Sequence, residues 1–131
     1  MKEPIWIGVL ETLVLHDLQL VAFGGSAGVR DAGLLESALA RPRNLLLYGK
    51  KRPSLARLAA AYAFGIMKNH PFVDGNKRTA LVIAFAFLDV NGVEINASEE
   101  DAFRIFMDLA RGRMSEEELA AWISENSGQI K

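Results

Sequence analysis

The sequence predicts an all-α fold, a bundle of about six helices with a short β-hairpin. Apolar residues recur at helical spacing over nearly the whole chain. Capping residues stand at Asp31, Ser54, Ser98 and Ser115, each ahead of such a stretch. Two runs, 58–67 and 80–88, are apolar almost all round, as buried helices are.

The first helix reads over residues 5–23, with polar Glu11, His16 and Gln19 in an apolar frame and Gly24-Gly25 as its stop. Asp31 caps a short second helix, 32–40, whose stripe is Leu34, Leu35, Ala38 and Leu39; Pro42 ends it. Residues 43–53 read as a loop or short hairpin, because Leu45-Leu46-Leu47-Tyr48 is followed by Gly49, a basic cluster and Pro53. Ser54 caps a third helix running to about Asn69. After a polar break, a helix over 78–90 contains the run 80–88 and is expected at the centre of the bundle; Asn91-Gly92 closes it. Val93-Glu94-Ile95 is a short extended piece. Ser98 opens a helix to about Ala110, which Gly112 ends. Ser115-Glu116-Glu117-Glu118 matches a capping box and starts a last helix with Leu119, Trp122 and Ile123 inward. Residues 127–131 read as a frayed tail.

A chain of 131 residues fits one domain, 1–131, and neither a repeat nor a linker divides it. With 15 Lys+Arg against 16 Asp+Glu, the formal net charge of -1 argues against a globally basic nucleic-acid binder. The absence of cysteine excludes a disulfide scaffold and a thiolate zinc site, and fits a reducing, cytoplasmic location. Glu3, Glu11, His16 and Asp17 interrupt the first segment, which lacks the apolar core of a signal peptide. The longest apolar runs are too short to span a bilayer, so no membrane partner is expected. The charge is unevenly placed: 41–57 holds six basic residues and no acidic one, whereas nine acidic residues face four basic ones after residue 90.

The feature that a generic bundle does not explain is His70-Pro-Phe-Val-Asp-Gly-Asn-Lys-Arg78, set between the two most apolar helices. Polar groups at a core junction cost free energy unless they are paired or hold a ligand. Gly75 and Asn76 lie at a helix mouth, where unbonded N–H groups and the helix dipole favour an anion and a glycine admits it closely. Lys77 and Arg78 add cationic donors for phosphoryl oxygens. Asp74 suits Mg²⁺, which one or two carboxylates hold together with substrate phosphates. His70 supplies an imidazole that can take a proton from an attacking hydroxyl. These are the parts of a phosphoryl- or nucleotidyl-transfer site.

This segment resembles the signature loop of the Fic/Doc superfamily, H-P-F-x-[D/E]-G-N-x-R, and with Lys77 it is most similar to the death-on-curing (Doc) branch, which reads G-N-K-R. The resemblance extends over Phe23-Gly24-Gly25, Gly28–Asp31, Leu34–Leu39, Ala40–Pro42, Ala63–Gly65, Lys68-Asn69, Thr79–Leu81 and Asn91-Gly92, covering roughly residues 10–110. It implies a Fic-like bundle with a hairpin flap. It also implies His70 as catalytic base, Asp74 as the Mg²⁺ ligand, Gly75, Asn76 and Lys77 as the phosphate-binding helix mouth, and Arg78 as holder of the far phosphates.

Where adenylylating relatives carry glycine at position 77, Lys77 fills the space for the outer phosphates, which implies an ATP-dependent kinase delivering the γ-phosphate. The implied target is a hydroxyl of translation elongation factor EF-Tu, so that translation and growth stop. The implied regulator is a small Phd-like antitoxin in trans, and none of the serines or threonines here has Glu four residues later, as the family's built-in inhibitory helix would. The flap would be Leu45, Leu46, Leu47 and Tyr48, adding a strand to an extended target segment, with Lys50, Lys51 and Arg52 favouring an acidic one.

Two alternatives stand beside the kinase: a protein adenylyltransferase, against which Lys77 argues, and a non-catalytic binding toxin working through the basic segment. That segment lacks aromatic interleaving apart from Tyr48, so the protein itself is not expected to bind nucleic acid. His16 reads as a structural histidine, and Arg30 and Asp31 as helix-start residues.

Overall fold

The computed structural model describes residues 3–130. Its elements run α1 (Val9–Phe23), α2 (Ala32–Tyr48), α3 (Leu55–Asn69), α4 (Asn76–Val90), β1 (Val93–Ile95), α5 (Glu99–Ala110), α6 (Glu116–Glu125) and β2 (Ser127–Gln129). The all-α class therefore stands, with six helices and a short antiparallel pair of strands.

The expected caps are in place. Asp31 Oδ1 accepts from the Leu34 N–H at 2.9 Å, and the hydroxyls of Ser54, Ser98 and Ser115 each accept from the N–H three residues on at 3.0 Å. Glu118 completes the capping box by accepting from the Ser115 N–H at 2.9 Å. Each such cap stabilises its helix by about 1 kcal/mol.

The centre of the bundle is α3 rather than α4. Its Ala56, the run Leu58–Ala63, Gly65 and Ile66 are all buried, and it packs most extensively on α4, α2 and α6. The small side chains of α3 let its neighbours approach closely: a Cβ on Gly65 would lie 3.0 Å from the Ala38 carbonyl of α2. By contrast α4 leaves Leu81, Val82, Phe85 and Ala86 half-buried along an open groove. An all-apolar run in sequence cannot distinguish a helix covered on every side from one that lines such a groove.

The segment 43–53 corrects the expectation most. Pro42 does not end α2; it is buried inside it, and the helix runs on to Tyr48, where the Gly49 N–H caps the Leu45 carbonyl at 3.0 Å. Proline in a helix interior forgoes one backbone bond and costs about 3 kcal/mol. Packing of Leu39, Pro42 and Leu45 on the core outweighs that local preference. Leu45, Leu46, Leu47 and Tyr48 are thus helical and offer no strand edge.

The strands lie elsewhere: β1 pairs with β2, Val93 opposite Gln129 and Ile95 opposite Ser127. Residues 127–129 of the expected frayed tail are therefore paired, while Lys131, like Met1 and Lys2, is outside the described residues. The start of α1 is also later than expected. Residues 5–7 lie outside the helix and are tied down by Asn91, whose side chain bonds both backbone groups of Ile5, and by the Tyr62 hydroxyl on Ile7.

Much of the basic segment is spent internally. Glu116 of α6 is buried and takes two bonds from Arg41 (2.9 and 2.6 Å) and one from Arg57. Arg43 lies over the Trp6 ring at 5.3 Å. Lys50 and Lys51 remain exposed after the end of α2.

Candidate functional site

The loop between α3 and α4 is built from residues 70–75 and supported by three other parts of the chain. His70 caps α3 in the left-handed conformation, φ 50 and ψ 55, and is the only non-glycine with positive φ among the described residues. Histidine tolerates this region better than most side chains, but it is a conformation that persists only when its surroundings impose it. Arg30 imposes it: Nε donates to the His70 carbonyl at 2.7 Å and Nη2 to the Asn69 carbonyl at 2.9 Å. These carbonyls end α3 and have no helical donor. The His70 side chain is exposed and no described group pairs with its imidazole.

Beyond His70 the chain is pinned as if it were an edge strand. The N–H groups of Arg30 and Asp31 donate to the Pro71 carbonyl, and Val73 N–H donates to the Gly28 carbonyl at 3.0 Å, which bridges Val29 to Phe72. Phe72 is fully buried under the loop. Asn76, also buried, bonds both backbone groups of Phe72 at 3.0 Å through its side-chain amide. That side chain is a staple for the loop, so only the Asn76 backbone is left to face a ligand.

The mouth of α4 is open. Gly75, φ 79, is its N-cap and supplies no side-chain cap, and the first intrahelical bond of the turn is Thr79 N–H to the Gly75 carbonyl at 3.0 Å. The N–H groups of Asn76, Lys77 and Arg78 have no acceptor among the described residues, which leaves three donors converging at the positive end of the dipole. Asp74 flanks them. Its Oδ1 accepts from the Gly75 N–H at 2.9 Å and its Oδ2 from the Ser26 N–H at 3.1 Å, which fixes the carboxylate while it stays exposed.

Asp74 fits a hard cation shared with substrate phosphates. The described residues contain no group of three or more acidic or imidazole ligands that would hold a metal on protein donors alone. Lys77 is exposed beside the mouth. Arg78 is half-buried with its guanidinium carbon over two rings, 3.7 Å from the Phe23 centroid and 4.5 Å from that of Phe103. No carboxylate pairs with it among the described residues, so its guanidinium N–H groups are available to an anion. It lies at the border of a groove of about 610 Å³ lined by Phe23, Leu81, Val82, Phe85, Ile95 and Phe103 among others.

His70, Asp74, Gly75, Asn76, Lys77 and Arg78 thus share one loop and helix start. No hydrogen bond or ring contact joins them to Leu45, Leu46, Leu47 or Tyr48, which stand on α2; Leu45 and Tyr48 line a separate hollow with Ser37, Arg41 and Asn44. The supports from Phe23, Ser26, Arg30 and Phe103 were not legible as site residues. Each acts across a long sequence separation, and no local pattern announces it.

A family model described as Fic/DOC family matches residues 6–88. Toxin Doc of Mycolicibacterium smegmatis is 47% identical over 77 residues, 59% of this chain and 59% of that protein. Protein kinase doc of Escherichia phage P1 is 36% identical over 90 residues, 69% of this chain and 71% of that protein. The match to the mycobacterial relative therefore spans less than two thirds of its length.

Proposed function

The chain belongs to the Fic/DOC family, and on that premise we propose that residues 1–131 act as one catalytic domain, a Doc-type toxin that transfers the γ-phosphate of ATP to a protein hydroxyl. The observation that carries the reading is the mouth of α4: three unbonded N–H groups behind a left-handed glycine, with a fixed, exposed carboxylate beside them. Such a cradle suits phosphate oxygens more than any other common ligand. The names of the relatives, a toxin and a protein kinase, support the same reading. No helix among the described residues is long and apolar enough to cross a membrane, which is compatible with a cytoplasmic target.

In this mechanism the N–H groups of Asn76, Lys77 and Arg78 bind phosphate oxygens, and Arg78, held by its contacts with Phe23 and Phe103, clamps the far end of the triphosphate. Asp74 would hold Mg²⁺, whose charge offsets that of the phosphates when it is bound. His70 accepts the proton of the target hydroxyl as its oxygen bonds the γ-phosphorus; the bond from that phosphorus to the bridging oxygen breaks and ADP leaves. On the family resemblance, Lys77 would fill the space that an adenylyl transfer needs for the outer phosphates. The proposed target is EF-Tu and the proposed regulator a small antitoxin in trans, both resting on the family resemblance.

The test is intact-mass analysis of EF-Tu incubated with this protein, ATP and Mg²⁺, run beside γ-labelled and α-labelled ATP. A phosphate-sized gain with γ-label, lost in His70→Ala and in Asp74→Ala, is expected. An AMP-sized gain with α-label replaces the kinase by an adenylyltransferase. No gain in mass, with growth inhibition surviving His70→Ala, replaces both by a binding toxin.

A further inference from the structure

We propose that His16 is a positioning residue for the Asp74 carboxylate, acting through the peptide bond between Asp74 and Gly75. The inference rests on the reading of Asp74 as the metal-holding group. His16 is far from the loop in sequence, yet α1 carries its ring beneath it, where the residue is only 2% exposed. Nε2 lies 2.7 Å from the Asp74 backbone oxygen. A carbonyl oxygen only accepts, so Nε2 carries the proton and donates. The ring also stacks on Phe72, centroids 3.8 Å apart and planes within 9°, and a Cβ on Gly75 would sit 3.5 Å from Nε2. One imidazole therefore touches the loop at Phe72 and Asp74, and a side chain at position 75 would meet it. Its other nitrogen, Nδ1, looks toward the exposed carboxylate of Asp17 at 3.9 Å.

The consequence follows from peptide geometry. In a trans peptide the C=O and N–H point in opposite directions. Holding the Asp74 carbonyl inward on His16 turns the Gly75 N–H outward, where it donates to Asp74 Oδ1 at 2.9 Å. The same peptide plane is thus fixed at one end by α1 and fixes the carboxylate at the other. Without the His16 donor this peptide can rotate as a unit. Gly75 offers no Cβ to resist that rotation, and its N–H would then leave the carboxylate. A mere packing role would need the ring and its stack; a positioning role needs the N–H.

Two variants separate these. His16→Phe keeps an aromatic ring for the Phe72 stack and removes the donor; His16→Gln removes the ring and places an amide N–H within the reach of Nε2. The readouts are amide hydrogen exchange of the protein without ligands, and the Mg²⁺ concentration giving half-maximal transfer of γ-label from ATP. In His16→Phe, exchange at Gly75 and Ser26 should rise about tenfold while amides of Ile66, Ile83 and Ala84 stay within about twofold of wild type. The half-maximal Mg²⁺ concentration should rise by a similar factor, with kcat at saturating Mg²⁺ retained, and His16→Gln should restore most of both. Unchanged exchange at Gly75 in His16→Phe overturns the proposal. So does equal loss of protection throughout α3 and α4, or a His16→Gln variant no better than His16→Phe. The exchange measurement needs no turnover, so a protein that transfers no phosphate defeats the kinase reading and leaves this inference to be decided by exchange alone.

Discussion

Arg30 holds the backbone carbonyl of His70, its Nε 2.7 Å from that oxygen. The proposed base is thereby kept in a left-handed corner by a side chain from the turn before α2, forty positions away in sequence. The first prediction concerns this bond. Arg30→Met removes the donors to both His70 and Asn69, whose exposed carbonyls then turn to water, so the fold should lose only about 1 kcal/mol. Turnover depends on where the imidazole points and should fall about tenfold, with the KM for ATP little changed. Arg30→Lys should not rescue it, because a point charge cannot span two carbonyls as a fork does. Steady-state transfer of γ-label, beside urea unfolding, reads both quantities. A fall in stability alone would reduce Arg30 to a helix cap.

The second prediction uses two adjacent glycines. Both Gly24 and Gly25 have positive φ, 80° and 120°, so alanine strains the backbone at either. Space differs: a Cβ on Gly24 meets nothing within 4 Å, while one on Gly25 lies 2.8 Å from Asp74 Oδ2. Gly25→Ala should therefore raise the Mg²⁺ needed for half-maximal transfer about tenfold, and Gly24→Ala should not, although both lose about 1 kcal/mol in stability. Equal Mg²⁺ dependence in the two variants would show that the carboxylate can yield without consequence.

These supports mark the boundary of what the sequence reveals. The caps at Asp31, Ser54, Ser98 and Ser115 are local chemistry, read from one residue and its third neighbour, and they are where expected. The nine residues 70–78 are legible for the same reason, being contiguous and out of character for a core junction. Pro42 misleads because local preference is outweighed by packing on α3, and β2 is invisible because 127–129 acquires its strand only from a partner more than thirty residues earlier. His16 reads as a structural histidine, and it is buried. What sequence cannot give is the atom it holds, since that depends on how α1 crosses the loop.

A third prediction addresses Arg78, whose guanidinium makes cation–π contacts with Phe23 and Phe103. Phe103→Leu keeps an apolar side chain in the groove but removes one of the two ring contacts. Loss of a partly desolvated cation–π contact corresponds to about three- to tenfold, and it should appear in the KM for ATP rather than in kcat, since the fork still carries its charge. Arg78→Lys should be worse than Phe103→Leu, because an ammonium loses both the stack and the two-point contact. A Phe103→Leu variant with unaltered KM would mean that Arg78 orients itself without its neighbours.

The fourth prediction concerns Tyr62, at the centre of α3, whose hydroxyl accepts from the Ile7 N–H at 2.9 Å and donates to the Ile7 carbonyl at 3.2 Å. Burial pushes this phenol from its ordinary 10.0 up to about 12, outweighing the opposing pull of its bond to Ile7 and of Arg43. The folded state thus keeps a proton that the unfolded chain gives up first. Below pH 10 the group is protonated in both states and its contribution to stability is fully present. Between pH 10 and 12 only the unfolded chain ionises, so stability falls by about 1.4 kcal/mol per pH unit from this group. Tyr62→Phe leaves both backbone groups of Ile7 without their partner and should be less stable than wild type by about 1–3 kcal/mol at about pH 8. The same variant has no phenol to ionise, so the gap should narrow by about 1.4 kcal/mol as the pH approaches about 11. Urea unfolding of the two proteins at both pH values measures it. A gap that stays constant between them would mean that the phenol titrates alike in the folded and unfolded chains, and that its burial does not hold the proton.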